Sequence, residues 1–360
     1  GCVAVYNLAA EHRDDVRPES LYEEVNVGGA RSLCAVADAA GIDRIVFTSS
    51  VAVYGLPERE TDETAAPDPF NEYGRTKLAA ERVFQAWRAA RPETRSLTII
   101  RPTVVFGEGN RGNVYNLLRQ IASGLFVMVG DGRNRKSMAY VENMAAFLEF
   151  VLDAEAGERV VNYADKPDLD MNALVALARE AFGRRPAPAL RLPYGLAYAL
   201  GRSLDAVAAA TGRSFPVSAV RVKKFCASTA FSARRAAELG FKPAVSLEEG
   251  LRRTIASEFG EAVPTSETPS GDPHLLFVSQ YFPPESVAPS ARLFEMARRW
   301  VRSGARVTVL TAFPQHPIGV KRPEDRGRIT RKERTEGIEV LRAYIYATPN
   351  KGSVRRMASY

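Results

Sequence analysis

Ile45-Val-Phe-Thr-Ser-Ser50 and, after a polar loop, Tyr73-Gly-Arg-Thr-Lys77 are the stretches that decide the fold. The first is an apolar, β-branched run that stops at three hydroxyl residues. It reads as a buried strand with polar groups at its carboxyl end, where open α/β sheets place ligands. The second opens a helix, and the four-residue spacing puts Tyr73 and Lys77 on one face. An ammonium there is expected to lower the phenol from its usual value of about 10. The pair then serves proton transfer at a carbinol oxygen, with Ser50 holding that oxygen.

The surroundings alternate in the same manner. Gly1 to Leu8 reads as a strand, about Ser20 to Ala40 as a helix, and 44–49 as a strand. A helix over 73–91 leads to a strand over 96–101. Strand–helix alternation of this kind predicts βαβ units and a parallel sheet. Helices are further expected at 112–125, 142–155, 232–239 and 247–258, with a short strand near 127–132. Asp170 is placed to cap a helix from Met171. The stretch 192–210 reads as a half-buried packing helix, because Arg202 and Asp205 interrupt it, with a membrane-surface role as the competing reading.

The motifs Asn7-Leu-Ala-Ala10, Asn26-Val-Gly, Phe47-Thr-Ser-Ser50, Val53-Tyr-Gly55, Tyr73-Gly-Arg-Thr-Lys77, Arg101-Pro-Thr-Val-Val-Phe-Gly107 and Lys136-Ser-Met-Ala-Tyr-Val-Glu-Asn143 occur in that order. Together they resemble the extended short-chain dehydrogenase/reductases, in the nucleotide-sugar epimerase/dehydratase branch typified by UDP-galactose 4-epimerase. Phe231 to Phe241 resembles the C-terminal signature of that family. The resemblance spans roughly residues 1 to 260 and implies NAD, with NADP left open, and a nucleotide-sugar substrate, UDP-linked. It implies that Ser50, Tyr73 and Lys77 are catalytic. Asn7, Leu8, Ala9, Ala10, Asn26, Thr48, Ser49, Pro102 and Val104 join Tyr73 and Lys77 in lining the cofactor. Ser50, Asn113, Lys136 and Arg221 meet the substrate.

Four alternatives stay open. Ser50 and Tyr73 carry the proton transfer, or Ser50 caps a strand end and Tyr73 simply packs under the loop. Asn26 reaches the cofactor or makes a bond inside its helix. Pro102 to Val104 line the pocket or merely bend the chain. Arg133 to Lys136 grip a diphosphate or form a solvated basic turn, and lysine stands at 136 where the family usually has a bidentate arginine. Dehydratases of the family carry Asp-Glu directly after the serine, whereas Val51 and Ala52 follow Ser50 here, so an epimerase or simple dehydrogenase is expected. No strand–Gly-x-x-Gly-x-x-Gly–helix unit precedes Val5. The chain is therefore expected to be truncated at its front and to bind NAD weakly or not at all.

Ala262 to Pro273 is rich in Pro, Ser and Thr and reads as a linker. Beyond it come a strand from His274, a helix at 289–303 and a strand over 305–311. Gln280-Tyr-Phe-Pro-Pro-Glu285, Arg292-Leu, Val307-Thr-Val-Leu-Thr311 and Phe313-Pro-Gln-His-Pro-Ile-Gly319 make this tail similar to the N-terminal domain of a family 4 (GT-B type) glycosyltransferase. The expected fold is thus α/β: an incomplete Rossmann-like doubly wound sheet with a small substrate region over 1–261, the linker 262–273, and a partial second Rossmann-like unit over 274–360. A glycosyltransferase with a non-catalytic epimerase-like partner domain, or an inactive fragment, is the alternative.

Charge sits mostly at the end. From His274 onward there are 16 Lys+Arg against 7 Asp+Glu, and the preceding residues carry 33 against 35. No nucleic-acid motif accompanies this excess. An anionic membrane face or a phosphate-bearing acceptor suits it better than nucleic acid does, and a merely solvated basic surface is favoured over either. The three cysteines and three histidines are dispersed, which points to a reducing compartment and no metal site. A cytoplasmic location, peripheral to the inner membrane face, and a homodimer complete the expectation.

Overall fold

The computed structural model describes residues 2–12, 16–124, 126–183, 190–211, 218–259, 274–279, 282–284, 288–302, 305–314 and 330–343. The body begins with β1 (Val5–Asn7), α1 (Ser20–Tyr22) running through a π-helical stretch Glu23–Gly28 into α2 (Gly29–Ala40), and β2 (Arg44–Thr48). It continues with α3 (Glu72–Ala89), β3 (Ser96–Pro102), β4 (Val104–Phe106), α4 (Asn113–Ser123), β5 (Val127–Val129), β6 (Arg135–Tyr140), α5 (Val141–Phe150), β7 (Glu158–Tyr163), β8 (Asp165–Asp170) and α6 (Met171–Ala181). Next come β9 (Leu190–Leu192), α7 (Tyr194–Thr211), α8 (Ala219–Cys226), α9 (Arg234–Glu238) and α10 (Leu247–Phe259). The tail holds β10 (His274–Val278), α11 (Ala288–Arg302), β11 (Arg306–Ala312), β12 (Thr330–Thr335) and β13 (Ile338–Ala343).

The main sheet has the order β12-β13-β11-β10-β1-β2-β3-β7. All its pairs are parallel except β12 with β13. β3 is buried along its whole length, as a central parallel strand covered on both faces must be. Side chains alternate across the sheet. Val5, Ile45, Phe47, Leu97 and Ile99 face α2 and α3, packing on Leu33, Ala37, Phe84 and Trp87. Tyr6, Val46, Ile100 and Val161 face the opposite layer, with Phe147 and Leu148 of α5 and Met296, Ala297 and Trp300 of α11.

The local signals act as their chemistry requires. Asn71 Oδ1 accepts from Gly74 N at 2.9 Å and starts α3. Asp170 Oδ1 accepts from Ala173 N at 2.7 Å and starts α6, as expected. Gly41, at φ 65°, closes α2 in the left-handed conformation.

The tail was expected to form a partial second Rossmann-like unit. Instead β10 pairs with β1, Val5 opposite Leu276 and Asn7 opposite Val278, and the tail's strands extend the body's sheet. Chain order runs outward from this seam through β10 and β11 on one side and through β1, β2, β3 and β7 on the other, so β1 and β10 flank a topological switch point. Over 192–210, α7 is the expected half-buried packing helix, with Ala197 and Gly201 buried against α8 and Leu196 and Leu200 exposed. The linker 262–273 lies outside the described residues.

Candidate active site at the carboxyl edge of the sheet

β2 leaves the sheet through Thr48-Ser49-Ser50 and enters a 3₁₀ turn, Val51–Tyr54. Ser50 caps that turn, its Oγ accepting from Ala52 N at 3.1 Å. The first turn of α3 lies directly on it. A Cβ built on Gly74 would stand 2.4 Å from the Ala52 carbonyl oxygen, so only glycine lets the helix approach this closely. The backbone of Tyr73 is thereby held beside the turn that Ser50 caps. The half-buried Tyr73 ring packs on Val16, Leu21 and Tyr22.

Tyr73, Lys77 and Glu81 form one stripe along α3. Lys77 is 2% exposed; its Nζ donates to the Thr48 carbonyl at 2.8 Å and lies 4.7 Å from the centre of the Phe47 ring. Ser49 Oγ donates to Glu81 Oε1 at 2.5 Å. Arg101 grips Glu81 with both arms of its fork, Nε at 2.9 Å and a terminal nitrogen at 2.5 Å. It also donates to the Tyr54 hydroxyl at 2.6 Å, which donates to Asn162 Oδ1 at 3.0 Å. Burial works to lower the Arg101 guanidinium, but the Glu81 carboxylate overrides it and the pKa is raised. Burial raises the Tyr54 phenol. The end of β2 thus rests on a closed network of buried polar groups, each with a partner.

The other expected residues are spread unevenly. Asn7 is buried, with Oδ1 accepting from Ala9 N at 3.0 Å, and Leu8, Ala9 and Ala10 are half-buried after β1. The Asn26 side chain bonds to partners outside its own helix. Its Oδ1 accepts from Glu11 N at 2.8 Å, and its Nδ2 donates to Glu11 O at 3.1 Å and Thr76 Oγ1 at 2.9 Å. It ties the loop after β1 to α3, from a π-helical stretch of the kind enriched at functional sites. Pro102 is buried and Val104 half-buried, with Thr103 between them donating to Tyr163 O at 3.2 Å.

Asn113 is exposed at the start of α4. Lys136 Nζ donates to the Ala227 carbonyl at 2.5 Å, and burial lowers its ammonium to about 8. Arg221 lies on α8, and its side chain falls outside the described residues. Ser50, Thr48, Ser49 and Lys77 therefore come together at the end of β2, with the backbone of Tyr73 beside them and its ring on Val16, Leu21 and Tyr22, and with Asn7–Ala10 and Asn26 nearby. Lys136 sits apart, against the segment that follows α8.

Glu81 and Asn162 were not foreseen. Glu81 carried a signal, since it stands one turn beyond Lys77 on the same stripe. Asn162 carried none. One feature suits a bound cofactor: Thr48 Oγ1 is buried without a hydrogen-bond partner, beside the carbonyl that holds Lys77. A hydroxyl left so at a strand's carboxyl end fits a polar ligand group there.

Comparison with known proteins agrees with this geometry. Residues 1–164 match the NAD dependent epimerase/dehydratase family. The chain is 51% identical over 263 residues to the N-acetyl-alpha-D-glucosaminyl-diphospho-ditrans,octacis-undecaprenol 4-epimerase of Escherichia coli O157:H7, covering 73% of this chain and 79% of that enzyme. It is 29% identical over 268 residues to the UDP-glucose 4-epimerase of Vibrio cholerae, covering 70% and 75%. Among solved structures, MoeE5 in complex with UDP-glucose and NAD aligns with a TM-score of 0.54 at 27% identity, over 71% of this chain and 78% of that one. On the strength of these matches, the chain belongs to the NAD dependent epimerase/dehydratase family.

Proposed function

We propose that the protein is an NAD-dependent epimerase that inverts C4 of a sugar carried on a diphosphate, in the assembly of a cell-surface polysaccharide. The observation that carries this reading is the buried Lys77 ammonium, fixed by the end of β2 and one helical turn from Tyr73. NAD, when bound, supplies the two-electron acceptor and donor. Lys77, Thr48 and the small residues Ala9 and Ala10 would hold its nicotinamide end. Tyr73, as phenolate, takes the proton from the sugar hydroxyl and later returns it. Ser50 holds the reacting oxygen. Lys77 keeps a positive charge next to the phenolate, and the Glu81–Arg101 pair keeps the strand end in register with α3. Val51 and Ala52 offer no acid or base for eliminating water, which supports epimerisation over dehydration.

The sequence alone suggested a nucleotide sugar, UDP-linked. The Escherichia coli relative is named for a sugar on undecaprenol diphosphate and the Vibrio cholerae relative for UDP-glucose. Their shared chemistry is a glycosyl diphosphate, and the higher identity favours the polyprenol carrier. The tail's sequence likeness to a GT-B glycosyltransferase supports the polysaccharide setting. Three free, unpaired cysteines suit work at the cytoplasmic face of a membrane. A homodimer remains part of this reading.

Tyr73→Phe tests it. Turnover of the glycosyl diphosphate should fall by about 10²–10⁴-fold, while NAD binding by titration stays near that of the wild type. Unchanged turnover would remove the proton-transfer role.

A further inference from the structure

Among the described residues, ten large apolar side chains are left exposed, and six of them lie in one region. These are Val127 of β5, Leu190 of β9, Tyr194, Leu196 and Leu200 of α7, and Val220 of α8. The elements are contiguous. β5 pairs with β9, setting Val127 beside Leu190. α8 packs on α7 so closely that a Cβ on Gly201 would lie 2.7 Å from Ala219 N. The packing face of α7 is made of small residues, Ala197 and Gly201, while Leu196 and Leu200, one turn apart, point outward at 52% and 50% exposure. A helix that only packs on its own domain shows the reverse, with leucines inward. Apolar side chains clustered at the surface mark a contact with something else.

The charge of the same region says what that is. Residues 184–224 hold eight Lys+Arg (Arg184, Arg185, Arg191, Arg202, Arg213, Arg221, Lys223 and Lys224) against the single Asp205. The remaining 232 residues of 1–273 carry 25 Lys+Arg against 34 Asp+Glu. The hairpin is a basic, leucine-bearing island on an acidic body. No described helix is long and apolar enough to cross a membrane, so insertion is limited to the interface. A protein partner would be selected by shape. Exposed Tyr194, Leu196 and Leu200 with the exposed Arg191, Arg202 and Lys223 on the same elements instead match the boundary between acyl chains and anionic headgroups.

We propose that β9, α7 and α8 dock the protein on an anionic lipid bilayer, with Leu196 and Leu200 in the acyl–headgroup boundary and the exposed Arg202 and Lys223 on lipid phosphates. The proposal stands on exposure and charge, independently of the chemistry at Tyr73. If the substrate's carrier is a polyprenol, the same surface keeps the enzyme where that substrate resides.

The test is co-sedimentation of the full chain with vesicles of phosphatidylcholine, alone or mixed with phosphatidylglycerol. The wild type should bind the mixed vesicles, release them as salt rises, and bind the neutral ones weakly. Leu196→Ser/Leu200→Ser should weaken binding by about tenfold or more, given the apolar area withdrawn. Arg202→Glu/Lys223→Glu should do the same for the anionic vesicles. Both variants should keep the wild-type circular dichroism and wild-type turnover of a soluble UDP-sugar, so that loss of binding is separable from a wrong assignment of the reaction. Three results would overturn the proposal. One is no binding by the wild type. Another is undiminished binding by the leucine variant, which would move the contact to the basic tail. The third is a leucine variant whose only change is dissociation of a dimer, which would make a second copy the occupant.

Discussion

Glu81 decides how the site is held, because it is a carboxylate 1% exposed that receives Ser49 and both arms of Arg101. Removing one member of such a pair leaves a buried charge uncompensated, which costs about 3–5 kcal/mol. Glu81→Gln should lower stability by that order in urea unfolding. Glu81→Leu/Arg101→Met should recover much of it, because two apolar side chains leave no charge stranded. If the double variant is as unstable as the single, the pair is not the reason. Gly74 sets position rather than charge. In Gly74→Ala the new methyl meets the Ala52 carbonyl, α3 shifts, and overpacking costs about 1–3 kcal/mol. Turnover should fall further than stability alone accounts for, since Tyr73 moves with the helix away from Ser50. Wild-type kcat in a folded Gly74→Ala enzyme would refute this geometry. Lys77 and Arg101 were legible from their motifs. Glu81 carried only the signal of its place on the Tyr73–Lys77 stripe, which does not suffice, because one glutamate on an amphipathic helix reads as solvated until the facing strand is known to carry an arginine.

At the scale of elements, legibility followed local signals. The start of α6 was readable from its cap, and β2 and β3 from apolar runs. β7 and β8 were not, because Glu158-Arg159 and Asp165-Lys166-Pro167-Asp168 give a strand no apolar alternation; their pairing with β3 and β6 supplies it. β6 shows what such context does to a residue. Lys136 on it was expected at a diphosphate, yet its ammonium is turned to the Ala227 carbonyl and burial lowers it to about 8. The unfolded chain holds that proton up to about 10.4. Between the two values the unfolded state binds more protons, so this lysine makes stability rise with pH there. Below pH 8 its burial opposes folding in full. Lys136→Met should lose this slope: the difference between wild type and variant, measured by urea unfolding at pH 7.5, 9 and 10.5, should move in favour of the wild type as pH rises. A constant difference across the series would show the ammonium to be solvated. Taking the difference cancels other groups that titrate in the range.

The whole molecule departs furthest from what the sequence suggested, at one seam. A Pro-, Ser- and Thr-rich stretch is a fair sign of a linker, and a strand–helix–strand run after it reads as a new unit. Parallel strands far apart in sequence join through backbone hydrogen bonds whose register no local pattern announces. Here β10 lies along β1, and the seam is sealed by aromatic rings from both parts. Tyr6 lies 5.5 Å from Trp300 and 6.1 Å from Phe277, centre to centre, and Phe277 stacks on Trp300 at 5.0 Å. Tyr6 also donates from its hydroxyl to Leu148 O at 2.9 Å, joining β1 to α5. A core shared in this way should unfold as one cooperative unit. The chain's two tryptophans report on the two parts separately, since Trp87 lies on α3 of the body and Trp300 on α11 of the tail. In Trp87→Phe only the tail's indole remains, and in Trp300→Phe only the body's. Within each variant, the urea midpoint from tryptophan fluorescence should coincide with that from far-ultraviolet circular dichroism. A tail indole that changes at lower denaturant than the helical signal would mean that β10 and α11 leave the sheet independently. Trp300→Ala sharpens the contrast. Emptying the site costs about 3–5 kcal/mol, and in a single unit that loss must appear at Trp87, on the opposite face of the sheet.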